Sequence, residues 1–411
     1  MSKFRILALD GGGSWALLQV MALMDLYGDV NGHQILKKFD LAAANSGGAL
    51  TLSGLIMDWK LSDLLHMFLD ADKRGQIFVK AGFFDDPIAH LTQLADFGPK
   101  YRTVAKYQGL RNLMGAGADA PVTSVPGTVG AGVSGRVPHV VFCGFDYDIN
   151  RETFFRSDVG SLTQSQPSGN LGPVTIAQAV HASANPPVNY FDAPAAFGGR
   201  RYWDGAVGGY NNPVLAGVIE ALGNAERYQT ARADICALSI GTGNVALPRP
   251  LHLHDEDPDL VAQLQGSAIV PDVKKMASSI LDDPPDAASF HAHVMLDGAL
   301  PQAGTALPVN GPLVRLNPLI QPWLDAAGRW DYPAGLPKTG AKDDPTFTAM
   351  RDMPMDATEP DQVTAIRKFG TAWLKDQTTN QPIRANSSTL KAEIGFDRYS
   401  VARNAALAMF P

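Results

Sequence analysis

Apolar positions along the chain fall into strand-like and helix-like periods, in alternation. Phe4 to Leu9 is apolar apart from Arg5, the pattern of a short strand covered on both faces. Asp10-Gly-Gly-Gly-Ser14 ends it, and Trp15 to Tyr27 then carries apolar residues at helical spacing. Phe39 to Ala44 is the next strand, so the chain opens with a β-α-β unit. Ala49 to Met57, apolar nearly all round, predicts a buried helix, and Leu61 to Leu69 predicts another. Val140 to Phe145 and Thr153 to Arg156, separated by a polar turn, predict a hairpin. Thr175 is placed to cap a helix running to Ser183, which Pro186 and Pro187 stop. A short strand from Arg201 to Trp203, a helix from Pro213 to Leu222 and a buried strand from Ile235 to Ile240 follow. After about residue 245 the periods thin into loops, with a strand at Leu313 to Leu316 and a helix at Asp361 to Leu374.

Met114 to Pro138 is almost entirely Gly, Ala, Ser, Thr, Val and Pro with neither period, which predicts a flexible loop or surface excursion. Val401 to Phe410 is apolar enough to bind a membrane or a partner, although docking onto the protein's own core is the default for such a segment.

Composition narrows the class. Hydrophobic residues make up 45% and charged residues 18% of the 411, which excludes a disordered chain, a collagen and a coiled coil. The net charge of −7 repels polyanions and excludes nucleic acid as the main partner. It also implies that any docking on a bilayer relies on local apolar surface and depends only weakly on salt. Cys143 and Cys236 both lie in apolar runs and are expected as buried thiols of a reducing compartment, with a single disulfide the alternative. The first residues lack a signal-peptide core and no run reaches membrane-spanning length, so the expected location is cytoplasmic, with at most peripheral membrane contact. Glycine and proline are abundant, at 40 and 29 residues. Most fall in loops, but a few fall where chemistry is suggested.

Three short segments carry that suggestion. In Asp10-Gly11-Gly12-Gly13, glycines at a strand-to-helix turn let backbone N–H groups approach an anion or an oxyanion, where otherwise they form a plain tight turn. In Ala44-Asn45-Ser46-Gly47-Gly48, a serine with small neighbours stands between an apolar strand and an apolar helix. That is the sequence of a nucleophile elbow, in which larger side chains would crowd the turn; the plainer role for Ser46 is a helix N-cap. In Trp203-Asp204-Gly205-Ala206, a carboxylate ends a short strand, where an Asp-Gly pair alone marks a turn.

Together and in this order, the segments resemble the patatin-like phospholipases, a family of serine lipid acyl hydrolases. The glycine loop resembles the family's D-G-G-G motif, Phe39 to Gly48 its strand and G-x-S-x-G elbow, and Asp204-Gly-Ala206 its D-G-[GA] motif. Ala179 to Pro187 with Tyr190-Phe191, Val207 to Pro213 and Leu238-Ser-Ile-Gly-Thr-Gly243 are similar to other patatin segments. The resemblance runs from about residue 4 to 244 and continues weakly through Val314 to Pro318 and Met355 to Thr358. It implies a three-layer α/β/α sandwich with a mostly parallel central sheet. It further implies Ser46 as nucleophile, Asp204 as general base, and the amides of Gly11, Gly12 and Gly13 as oxyanion hole, with no catalytic histidine, cofactor or metal. The implied substrate is a phospholipid or other glycerolipid, cleaved in phospholipase A or lysophospholipase fashion. Two positions depart from the pattern. Ala44 stands where the elbow usually begins with Gly, and Trp15-Ala16 where a basic residue and Gly commonly follow the loop. The expected organisation is one catalytic domain over residues 1–380, with the excursion at 114–138 and a weakly matched part from 245, and a C-terminal tail at 381–411.

Other segments support other classes. His252-Leu-His254-Asp-Glu-Asp257 has metal-ligand chemistry but lies in a polar, proline-flanked loop. His291 and His293 alternate as in a strand and are expected to face solvent; because both histidine pairs follow Asp204, they keep a Ser-His-Asp esterase as an alternative. His181 falls in a patatin-like segment and is expected to be structural. Trp15, Trp59 and Phe83-Phe84 are candidates for an acyl pocket, with aromatic core packing the commoner fate. A non-catalytic lipid-binding patatin fold is a further alternative, as is a sugar kinase of the actin-like fold, whose first phosphate loop Leu7 to Ser14 resembles.

Overall fold

The computed structural model describes residues 3–80, 99–158, 160, 173–187, 190–250, 257–263, 283–301, 311–386 and 391–411. An eight-stranded sheet forms its centre. The strands are β1 (Phe4–Leu9), β2 (Leu41–Ala44), β3 (His139–Asp146), β4 (Arg151–Arg156), β5 (Ala195–Phe197), β6 (Arg200–Asp204), β7 (Ile235–Ile240) and, after a short β8 (Asn244–Val245) outside the sheet, β9 (Leu313–Leu316). They run in the order β5-β6-β3-β2-β1-β7-β9, with β4 paired to β3. The run from β3 to β9 is parallel, whereas β4, β5 and β6 pair antiparallel at one side.

Alternation along the strands builds two cores. Leu7, Leu9, Ala42, Ala44, Val140 and Phe142 face one side of the sheet, where they meet α1 (Leu17–Tyr27), α3 (Ser46–Ile56) and α4 (Leu61–Leu69). A short α2 (Gly32–Leu36) leads into that layer. Phe4, Ile6, Ala8, Leu41, Ala43 and Val141 face the other side, against Val214 and Val218 of a helix at Val214–Gly223 and Phe290 and Ala292 of a helix over residues 283–295. The three-layer α/β/α sandwich and its mostly parallel sheet are therefore as the sequence predicts. Burial on both faces is what makes β1, β2 and β7 read as continuous apolar runs.

Three expectations are corrected. Residues 114–138 are not an unstructured excursion: they contain short helical turns, and Val122, Val125 and Val129 are buried in the core. Small residues with sparse valines carry too weak a helical period to show it. Residues 381–411 are not a tail. Ile383 and Ile394 enter the second core, while a helix at Tyr399–Met409 sends Tyr399, Ala402 and Ala406 into the first, followed by Phe410 against Phe39. His291 and His293 lie on a helix rather than a strand; His291 is exposed as expected, whereas His293 is fully buried and hydrogen-bonded to Ala299 O. Cys143 and Cys236 are both buried and free. Among the described residues, no helix is long and apolar enough to cross a membrane.

Candidate active site

β2 ends at Ala44, and the chain turns directly into α3 at Ser46. The turn forces Ser46 to a φ of 50°, a left-handed conformation rare outside glycine. The turn has the strand-to-helix geometry of a nucleophile elbow, with the N-terminus of α3 starting at Ser46. Ser46 N–H donates to Ser183 Oγ (3.1 Å). Close packing explains the small neighbours, since a Cβ on Gly47 would stand 2.6 Å from Gly13 O.

Asp204 ends β6 and points at the same spot. Its carboxylate is buried and accepts hydrogen bonds from Asn45 Nδ2 (2.9 Å) and Ala206 N–H (2.9 Å). The Ser46 hydroxyl is among the groups that favour the ionised form of Asp204. Burial raises the Asp204 pKa above the ordinary carboxylate value; the Ala206 amide, Ser46, Asn45 and the charge of Lys106 oppose it without cancelling it. A carboxylate so raised is a better proton acceptor than one in water.

The glycine loop lies across from this pair. A Cβ on Gly11 would stand 2.9 Å from Ser46 Cβ, so the loop and the elbow touch. Gly11 N–H donates to Asn211 O (2.8 Å), and Gly11 O accepts from Thr242 Oγ1 (2.6 Å). The Gly11 amide is therefore taken, which corrects its expected place among the oxyanion donors. The amides of Gly12 and Gly13 have no acceptor among the described residues. Gly13 has a φ of 56°, and a side chain there would collide with Met355 O (2.5 Å).

Residues not assigned to the site from their motifs hold this arrangement. Ser183 bonds the Ser46 amide and reaches Asn45 Oδ1 (3.5 Å), while Asn185 O accepts from Asp204 N–H (3.1 Å). Both belong to the end of a helix at Ile176–Ser183, capped by Thr175 as expected. Under that helix end lies Lys106, fully buried, with Nζ donating to His181 O (3.0 Å), Ala184 O (2.7 Å) and Asn185 Oδ1 (2.7 Å) and sitting 4.2 Å from the Phe191 ring centroid. Desolvation pushes its pKa well below the usual lysine value. Asp10 forms a buried bidentate ion pair with Arg315, and Ser14 and Trp15 are tied to the backbone of residues 354–356. Ser183, Asn185, Asn211 and, in a weaker match, Arg315 lie in patatin-like segments, but those motifs do not say what their side chains hold; Lys106 carried no signal.

The remaining candidates separate. His181 is buried, packs its ring on Tyr107 and has a depressed pKa from burial and from Lys106. Among the described residues, no histidine is a hydrogen-bond partner of Ser46 or Asp204. His252, His254, Phe83 and Phe84 lie outside the described residues. Asp257 accepts from Tyr332 and Lys338, and no cluster with metal-ligand chemistry occurs among the described residues. Trp59 follows the far end of α3, away from Ser46, whereas Trp15 flanks the glycine loop.

The glycine loop, strained elbow and buried carboxylate coincide with a match to the family described as Patatin-like phospholipase over residues 7–218, just over half of the chain. The chain belongs to the patatin-like phospholipase family. All of Ser46, Asp204 and the glycine loop fall within the patatin match. No curated protein sequence matches the chain. Among solved structures, the crystal structure of VipD from Legionella pneumophila is similar over 90% of this chain and 67% of its own, at 12% identity and a TM-score of 0.33. Membership of the patatin family makes a lipid acyl hydrolase the expected class of activity.

Proposed function

We propose that the protein hydrolyses acyl esters of glycerolipids through an acyl-enzyme on Ser46, with Asp204 as the general base. Ser46 Oγ attacks the ester carbonyl carbon while its proton passes to Asp204. The negative charge that develops on the carbonyl oxygen is met by the unpaired amides of Gly12 and Gly13, each such donor contributing on the order of 3 kcal/mol in comparable sites. The alcohol leaves with the proton from Asp204. Water then attacks the acyl-enzyme, gives its proton to Asp204, and Ser46 recovers it as the carboxylic acid departs.

The observation that carries this reading is the meeting of three elements from different strands: a serine at a φ of 50°, a buried carboxylate of raised pKa, and two amides with no acceptor among the described residues. A helix N-cap needs neither the carboxylate nor the free amides. A metal-free assay of a medium-chain phosphatidylcholine, read as released fatty acid by mass spectrometry, tests it. Wild type is expected to release fatty acid, and Ser46→Ala and Asp204→Asn to lose that release; persistence in Ser46→Ala would refute the proposal.

A further inference from the structure

The part of the chain beyond the family match builds a cavity of its own. After β9, β10 (Pro318–Ile320) pairs with β8 on one side and with β13 (Thr379–Asn380) on the other. β8 begins two residues after Thr242, whose hydroxyl bonds Gly11 O, so the glycine loop lies near the β8 edge of this small sheet. At its β13 edge is a cavity of about 570 Å³, which includes Thr378 and Thr379 in its wall. A hairpin of β11 (Trp323–Leu324) and β12 (Trp330–Asp331) and another of β14 (Ile383–Asn386) and β15 (Lys391–Ile394) enclose it. The volume lies within the range of about 300–1,000 Å³ typical of small-molecule sites.

The lining joins flat apolar faces to polar groups without partners. Trp323 is 38% exposed, and its ring is held in place by donation from Nε1 to Thr379 Oγ1 (3.1 Å). Trp330 lies on the neighbouring strand of the same hairpin. Trp330 Nε1 and the hydroxyl of the buried Thr378 have no hydrogen-bond partner, whereas buried indole N–H groups ordinarily find an acceptor. Among the described residues, none bonds to the side chains of Gln321, Glu393 or Asp397 either. The two cations of the lining are engaged, Arg384 by Asp286 (2.7 Å) and Arg398 by Asp376 (2.9 Å).

These groups select among ligands. Asp376, Glu393 and Asp397 outnumber the two arginines, both of them ion-paired, which disfavours a phosphate. The unbonded polar side chains disfavour a hydrocarbon. An organic ammonium suits the carboxylates and the indole faces, but it brings no acceptor for Trp330 or Thr378. A sugar ring meets every requirement: its C–H face packs on an indole, and each hydroxyl both donates to a carboxylate and accepts from an N–H or O–H. We propose that this cavity binds an uncharged saccharide, either a free glycan or the headgroup of a glycosylated lipid. The Ser46 chemistry is not needed for that binding, and occupancy would tether the protein to a sugar-bearing molecule or surface.

The test is calorimetric titration of the full chain with the methyl glycosides of glucose, galactose, mannose and N-acetylglucosamine, and with cellobiose and maltose. At least one is expected to bind wild type with a Kd of about 1 mM or tighter. Trp323→Ala is expected to weaken that binding at least tenfold and the isosteric Glu393→Gln at least threefold, with thermal melts confirming that each variant folds. Ser46→Ala is expected to bind as wild type does. Flotation with phosphatidylcholine vesicles, with and without a glucosylated lipid, separates the two sources. Capture only by the glucosylated vesicles, lost in Trp323→Ala, identifies a headgroup; binding of the free sugars without such capture identifies a soluble glycan. Either result upholds the site. Absence of saccharide binding in both assays, binding indifferent to both substitutions, or binding lost in Ser46→Ala would overturn it. Binding of choline or inorganic phosphate in place of the sugars, sensitive to Trp323→Ala, would overturn the saccharide assignment.

Discussion

Asp10 and Arg315 lie at the ends of β1 and β9, on either side of β7, and are joined by a buried two-pronged ion pair that passes over Ser239. Burial raises the Asp10 pKa to about 6 even against the pull of Arg315. The residue that opens the glycine loop is thus anchored from a part of the chain outside the family match.

Removing one partner leaves a buried charge alone, at a cost of roughly 3–5 kcal/mol. Arg315→Met is expected to destabilise by that amount in denaturant titration and to lower kcat by loosening the loop. Asp10→Asn combined with Arg315→Met is expected to recover much of the stability. Similar losses in the single and double variants would contradict this account of the pair.

The route by which this anchor arises was largely hidden in the sequence. β1, β2, α3 and β7 were legible because each is buried all round or strictly periodic, and the short motifs marked the segments of Ser46, Asp204 and the glycine loop that the fold brings together. Arg315 lies in a predicted strand, yet nothing local says that its side chain crosses β7 to Asp10. Lys106 reads as an ordinary surface lysine, since burial of a charge depends on acceptors about 75 residues away. The Gly11 amide was misassigned because a motif shows where glycines are, not which N–H groups are already bonded.

With Asp204 as the proposed base, Asn45 is expected to set the acid side of the pH profile. Its amide donates to Asp204 and favours the ionised form, so it lowers a pKa that burial has raised. The base works only when deprotonated, and activity falls as pH drops through that pKa. A hydrogen bond to a charged group contributes about 1.5–3 kcal/mol, and one pH unit corresponds to 1.36 kcal/mol. Asn45→Ala is therefore expected to move the acid limb of kcat/KM upward by about one pH unit. An unchanged or lowered limb would show that Asp204 is not the titrating base.

Asp204 also costs stability. Its folded-state pKa lies above the unfolded value, so the folded protein holds the ionised carboxylate at a penalty that is relieved as pH falls through the folded pKa. Asp204→Asn keeps an acceptor for Asn45 and Ala206 but removes the charge. It is expected to raise Tm at neutral pH by roughly 1–3 °C while lowering kcat by about 10²–10⁴-fold. Calorimetry beside the ester assay checks both, and a fall in Tm would contradict the penalty.

Lys106 holds the segment at the end of the Ile176–Ser183 helix, where Ser183 and Asn185 contact the proposed Ser46–Asp204 pair. Its three N–H bonds match three acceptors, and an apolar replacement orphans each at about 1–3 kcal/mol. Lys106→Met is expected to destabilise the fold and lower kcat at least tenfold, with KM within about twofold of wild type. A change confined to KM would place Lys106 in substrate binding instead.

The proposed hydrolysis depends on Ser46 becoming covalently acylated. Mass spectrometry of peptides after reaction with a fluorophosphonate, which reacts with activated serines, tests it most directly. A single adduct on the peptide containing Ser46, with ester hydrolysis lost in step and the adduct strongly reduced in Asp204→Asn, is the predicted result. Labelling at another serine, or hydrolysis that continues with Ser46 fully occupied, would contradict it.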